Sequence, residues 1–215
     1  MSSPYEPRID PNDFVMTIDN PYLPLPVGRT LVYEGVSDGQ RERIEVTVTD
    51  RTREVMGVTT IVVRDRAFVE GALVEDTFDW FAQDRWGNVW YFGEETAEYE
   101  DGEVVSRAGS WEAGVDGAHP GVVMLADPGV GDRYRQEFYE GEAEDMARVR
   151  ATGDSIAVPA GTFQDVLVTE DWTPLEPDVL EHKIYAPEVG VVLERVMEGG
   201  SGVLRLVEIR DSAAG

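Results

Sequence analysis

Residues 77–95, TFDWFAQDRWGNVWYFGEE, hold seven aromatic side chains (Phe78, Trp80, Phe81, Trp86, Trp90, Tyr91 and Phe92) in a chain of 215 residues with five tryptophans, eight tyrosines and seven phenylalanines. DRWGN at 84–88 has the form of a three-residue hairpin connection, a type I turn followed by a glycine bulge. With Asp84 opposite Asn88, the ladder pairs Ala82 with Trp90, Phe81 with Tyr91 and Trp80 with Phe92. Side chains alternate across a strand, so Phe78, Trp80, Trp90 and Phe92 share one side while Phe81 and Tyr91 share the other. Burying one such ring removes about 150–250 Å² from water, so large rings on both sides require cover on both. One side is then the interior of a curled sheet, and the other lies beneath other parts of the chain. Core packing is the plain role for these rings; the alternative is an aromatic wall for a ligand, built from Phe78, Trp80, Trp90 and Phe92.

Away from the hairpin, turn signals recur at a fairly even interval, at Asp38-Gly39, Met56-Gly57, Glu70-Gly71 and within 100–102. The runs between them alternate at period two, as Ile44, Val46 and Val48 do with Glu45, Thr47 and Thr49. The expected fold is all-β: a single-domain antiparallel meander over residues 1–215, forming a wrapped sheet or calycin-like barrel. Pro4, Pro7, Pro11, Pro21, Pro24 and Pro26 deny residues 1–27 a regular ladder and make them an extended arm over the domain. Residues 109–132, GSWEAGVDGAHPGVVMLADPGVGD, contain six glycines and two prolines and read as a long loop lid, with a short strand or turn at 122–125. Strand patterns resume at Arg133; 141–150 could be helical on propensity, yet period two on either side favours a strand.

Composition narrows the function classes. Forty-three acidic against 18 basic residues give a net charge of −25. Nucleic acid, which needs a basic footprint, is not an expected partner, and neither is an anionic membrane. No apolar run approaches the ~18 residues that span a bilayer, so no membrane insertion is expected. The N-terminus lacks the basic and apolar regions of an export signal, making the cytoplasm the default compartment, with a trimmed secreted protein as the alternative. The absence of cysteine excludes disulfides and thiol chemistry. No cofactor motif is present, and the oligomeric state is not encoded in any pattern.

Candidate chemistry lies in polar residues whose parity matches apolar neighbours, since a buried charge is costly unless paired. Glu170 falls with Val166, Val168 and Trp172; His182 with Leu180 and Ile184; Glu208 with Leu204 and Leu206; Asp79 with Phe81 and Thr77. A barrel that joined Glu170 and His182 would hold a carboxylate–imidazole pair suited to acid–base catalysis. His119 and Trp111 in the glycine-rich loop, and Trp172, are further candidates for contact with a ligand. Lys183, the single lysine, reads as half of a surface pair with Glu181. Asp127, Asp132, Glu140, Glu142, Glu144 and Asp145 offer oxygen ligands without the spacing of a calcium loop, and two histidines are too few for a zinc motif, so no metal site is expected.

Three stretches carry a family resemblance: DNPYLPLPVGRTLVYEG at 19–35, FDWFAQDRWGNVWYFGE at 78–94 and VPAGTFQDVLVTEDWTPLEPDVLEHKIYAPEVGVV at 158–192. They resemble a family of uncharacterised bacterial and archaeal all-β proteins, some of them called lipoproteins. In that family a V-P-A-G-T-F turn precedes a strand and a Y-A-P-G-V-G segment closes the next hairpin; Glu188 stands here where the family has glycine. The resemblance implies the all-β fold and brings no catalytic residues. The leading expectation is binding of a small apolar or aromatic molecule in an aromatic-lined barrel interior. The alternatives are a cofactor-free lyase or isomerase using Glu170 and His182, and a structural or interaction module without a pocket.

Overall fold

The protein was analysed as a computed structural model that describes residues 5–211; residues 1–4 of the expected arm lie outside them. Among these described residues sixteen strands follow one another: β1 (Phe14–Val15), β2 (Arg29–Ser37), β3 (Gln40–Val55), β4 (Val58–Val69), β5 (Ala72–Asp84), β6 (Val89–Glu100), β7 (Glu103–Ser106), β8 (Trp111–Glu112), β9 (His119–Met124), β10 (Arg133–Arg135), β11 (Glu137–Phe138), β12 (Met146–Val158), β13 (Gly161–Trp172), β14 (Leu180–Ala186), β15 (Gly190–Glu198) and β16 (Gly202–Asp211). Among the described residues the only helical turn is a 3-10 turn at Pro11–Asp13. The 141–150 stretch divides: its first half is a turn, and β12 begins at Met146.

All pairings are antiparallel, and the staves run β12-β13-β14-β15-β16-β2-β3-β4-β5-β6-β9. The long hairpins β2–β3, β3–β4, β4–β5 and β5–β6 are those the turn signals predict, with Asp38, Met56 and Glu70 all at positive φ ahead of their glycines. The two ends of the sheet meet along residues 133–138. β10 pairs with β12 on one side, β11 pairs with β9 on the other, and Gln136 N–H donates to Asp145 O at 2.8 Å between them. The result is an almost closed barrel, which leaves few open edges.

Gly121 fits this seam. A Cβ there would lie 2.3 Å from the Gln136 carbonyl carbon, well inside contact distance and against backbone that cannot rotate away. Gly121→Ala is expected to destabilise the protein by about 1–3 kcal/mol, an overpacking cost, and to raise amide exchange across 133–138 before exchange in β2–β5.

The proline-rich arm does two jobs. Its first part lies on the outside: Ile9 and Phe14 pack with Trp80, Trp90 and Phe92, and Phe14 meets the rings of Trp90 and Phe92 edge-on at 6.3 and 5.5 Å. Its second part crosses one end of the barrel, where Ile18, Leu23 and Leu25 join Val48, Val63, Val89, Met124, Val149 and Leu167 in the main core. A plug of this kind is apolar beneath and must satisfy its backbone by local hydrogen bonds, which Asn20 and Gln83 supply.

The glycine-rich stretch is partly wall. β9 pairs with β6 along Val89–Tyr91, and β8 pairs with Gly93 and Glu94 farther along the same edge. Ala113 and Ala118 between them join the outer cluster with Trp80 and Phe92.

Candidate functional site

The aromatic hairpin forms in the expected register for Phe81–Tyr91 and Ala82–Trp90, and then a bulge follows, so that Asp79 faces Glu94. Interior positions on β4, β5 and β6 are therefore Ile61, Val63 and Asp65, then Thr77, Asp79 and Phe81, then Tyr91, Glu94 and Thr96. Phe78, Trp80, Trp90 and Phe92 are on the outside. Arg51 and Arg64 sit over the Phe78 ring at 5.1 and 5.4 Å, and Arg53 sits 4.0 Å over Trp80. Both faces are covered, as the sequence requires, but the larger aromatic set is the one beneath the arm. Parity relates the two sets to each other and is silent on which of them turns inward.

Inside, above the plug, is a cavity of about 400 Å³. Leu23 from the arm is at its floor, and Tyr33, Ile44, Val46, Phe81, Val123, Val191 and Leu204 form its apolar wall. The rest of the lining is charged or polar: Asp65, Glu94, Glu137, Asp145, Glu194, Lys183, Gln136, Tyr91 and Tyr185. Five carboxylates and one amine thus share a space from which all 17 arginines are absent. The arginines answer acids elsewhere: Arg43 and Arg66 clasp Glu45 at 2.8 and 2.5 Å, and Arg64 clasps Asp76 at 2.6 Å.

Burial and mutual repulsion hold several interior carboxyls far above their ordinary range, because desolvation disfavours the charged form and like charges add to it. Burial, then Glu75, Glu194 and Glu94, push Asp65 to about 7. Burial and Asp65 push Asp79 to about 7. Burial and Asp79 push Glu94 to about 8. Burial, Asp145 and Glu94 push Glu137 to about 8. Asp145 and Glu181 are raised chiefly by burial. For Lys183, burial opposes the charge, but Glu194 and Asp171 outweigh it and the amine stays protonated.

The geometry independently indicates a shared proton. Tyr91 Oη lies 2.7 Å from Asp79 Oδ1 and 3.0 Å from Glu94 Oε2. One hydroxyl hydrogen cannot serve two carboxylates, so making both contacts as hydrogen bonds needs a proton on one of the carboxyls. On the facing wall Lys183 Nζ reaches only 3.7 Å from Asp171 and 3.9 Å from Glu194. Asp171 is held instead by Thr169 Oγ1 at 2.5 Å and Gln136 Nε2 at 3.3 Å. Tyr185 is 4% exposed and lines the cavity, and its hydroxyl makes no hydrogen bond among the described residues.

Glu170 and His182 are opposite one another in the β13–β14 ladder, yet outside the barrel. The inward set on these strands is Leu167, Thr169 and Asp171 with Glu181, Lys183 and Tyr185. Glu170 is occupied by Arg148 at 2.7 Å and Arg150 at 3.0 Å. The apolar company that pointed His182 inward is itself external: Ile184 packs against a cluster that includes Val166, Ile156, Val158, Ala160 and Phe163 at the tip of the β12–β13 hairpin. Lys183, expected at the surface, is correspondingly interior. A register shift between Leu206 and Glu208 turns Glu208 out to Arg210, 2.6 Å away. Asp79 is inward as its parity indicates.

Of the other candidates, Trp172 is outside under Arg133, 4.7 Å from its ring. His119 stacks on Phe138 with centroids 6.0 Å apart at the seam. Trp111 comes nearest to the cavity: it packs edge-on against Tyr91 at 5.5 Å. Sequence reasoning missed Asp65, Glu94, Glu137 and Glu194. The signal available was the lone lysine, which sits amid acids only once the barrel is closed.

No protein-family model matches the chain, and a search of curated proteins gives no significant match. Two solved structures are similar in fold. One is described as a putative exported protein with a YmcC-like fold from Bacteroides fragilis, with a TM-score of 0.53 and 16% identity over 89% of this chain and all of that one. The other is described as a putative lipoprotein from Parabacteroides distasonis, with a TM-score of 0.46 and 12% identity over 89% of this chain and 99% of its own. At these identities the first likeness concerns the backbone fold alone. Among the described residues no helix is long and apolar enough to cross a membrane.

Proposed function

We propose that the barrel binds a small molecule whose apolar or aromatic body rests against Phe81, Tyr91, Val46 and Leu204. The observation that carries this reading is the 400 Å³ cavity itself, closed below by the arm and lined by aromatic and aliphatic groups together with carboxyl, hydroxyl and amide groups. Mouths of β barrels are recurrent ligand sites, and pockets of about 300–1,000 Å³ accommodate such molecules. A barrel that served only as a structural module would gain by filling this space with side chains, since voids cost contact energy and buried carboxyls cost more.

N-phenyl-1-naphthylamine, a neutral fluorophore that brightens in apolar surroundings, tests the reading. It is expected to bind with one-to-one stoichiometry, and Leu204→Trp, which puts an indole into the cavity, is expected to abolish the signal while leaving the melting temperature within a few degrees. Equal fluorescence with the filled variant, or none with either, removes the reading. The Bacteroides neighbour is described as exported, which supports the secreted alternative for this chain over the cytoplasmic default.

A further inference from the structure

We propose that the ligand of this cavity is an organic ammonium ion, an amine on an apolar carbon frame, with its nitrogen seated against Asp65 and Glu94. The proposal rests on the small-molecule reading above and gives the ligand its charge. Asp65, Asp79 and Glu94 lie on the inner faces of three successive staves, β4, β5 and β6, with Asp79 directly opposite Glu94 and Asp65 one step along. Asp65 accepts no hydrogen bond from any described residue, and the Asp79–Tyr91–Glu94 group is one donor short. An ammonium group carries three N–H donors and a positive charge, the two things this wall lacks.

Two features fix the class further. Tyr185, more than nine-tenths buried, turns a hydroxyl with no hydrogen-bond partner among the described residues onto the same cavity and can accept a further N–H or meet a polar group at the ligand's far end. Among the described residues no three acids or histidines converge closely enough to hold a metal ion, so a bare divalent cation has no coordination site. A larger cation whose charge is spread along a carbon frame can reach carboxylates placed around a 400 Å³ space. The interior amine of Lys183 stands nearest Asp171 and Glu194, and its pull on Asp65 is outweighed there by burial and by Glu75, Glu194 and Glu94.

Two probes of nearly equal size separate charge from shape: 2-phenylethylamine, protonated at neutral pH, and 2-phenylethanol, uncharged. Calorimetry with the full chain at pH 7.5 is expected to give the amine at least about a tenfold tighter Kd, the magnitude of a hydrogen bond to a charged group in a desolvated site. Asp65→Asn and Glu94→Gln, both isosteric, are each expected to remove most of that preference while leaving the alcohol's affinity unchanged. A cation against carboxyls that hold protons at this pH should also release protons, read as a dependence of the binding heat on the buffer's own ionisation enthalpy. Equal binding of the two probes overturns the proposal and leaves the small-molecule reading standing. Amine binding that both variants leave intact places the site elsewhere and overturns it too, and binding of neither probe overturns the ammonium proposal, while the fluorophore decides the small-molecule reading.

Discussion

The protein is expected to become markedly more stable as the solution is made mildly acid, with a melting temperature about 10 °C or more higher at pH 5.5 than at pH 8.5. The interior carboxyls are the cause. In the unfolded chain Asp and Glu titrate near 4; in the folded barrel Asp65 and Asp79 titrate near 7 and Glu94 and Glu137 near 8. Between those limits the native state binds more protons than the unfolded state, so the stability slope with pH is negative. Their protonation thus contributes stability that is complete below about 4, falls away as pH rises above that, and is gone once pH has passed the folded values of about 7 to 8. Each raised group contributes in the same direction, and together the effect is on the order of several kcal/mol, which for a domain of this length is about 2–4 °C per kcal/mol. Surface acids with depressed values, such as Glu45 beside Arg43, act oppositely but only near or below the ordinary carboxylate range. Differential scanning calorimetry across pH 5.5–8.5 measures the slope. The Asp65→Asn, Glu94→Gln double variant should flatten it and melt higher than the native chain at pH 8.5; a native chain most stable at pH 8.5 would contradict the interior assignment. Destabilisation by the very carboxylates that a cationic ligand would satisfy is the form a stability–function trade-off takes.

Asn20→Ala is expected to cost about 3–5 kcal/mol and to loosen the plug. Asn20 is 2% exposed, and its side chain serves four backbone groups: Nδ2 donates to Gly87 O at 2.8 Å and Leu125 O at 3.0 Å, while Oδ1 accepts from Tyr22 N at 2.9 Å and Leu23 N at 3.1 Å. Alanine leaves these backbone groups without their partner, at about 1–3 kcal/mol for each that stays buried and unsatisfied. Some will find water if the arm lifts, which sets the upper bound. Chemical denaturation gives the magnitude. Proteolysis gives the location: cleavage within 16–27 should appear well before cleavage in the staves. A loss under 1 kcal/mol would mean that the arm is held by its apolar residues alone.

The hairpin 77–95 made the fold class legible because alternation places large rings on both faces, and only a sheet covered twice can pay for that. The even spacing of turns gave the long hairpins of β2–β6. The candidate site was less legible. Asp79 was placed correctly by parity, while Glu170, His182 and Lys183 were assigned to the wrong faces. Parity tells inside from outside only where one face is wet; on β13 and β14 the outer face is itself dry beneath the β12–β13 hairpin tip, so Ile184 and Val166 gave a false inward signal. Bulges added a second source of error, as at Val207, where one extra residue turns Glu208 to solvent.

Local chemistry along the chain was enough to determine an all-β barrel, its main hairpins and a large acid excess, whereas the arm expected to lack any ladder does pair briefly with β5 through Phe14 and Val15. Those are properties of single strands and turns, and neighbours in sequence suffice to set them. Which face of each stave looks inward, and that Asp65, Glu94, Glu137 and Glu194 gather around one lysine in an unfilled space, was decided only by closure. Residues 65, 94, 137 and 194 come from separate strands, and no local pattern records an encounter that depends on how far a whole sheet twists before its ends meet at 133–138.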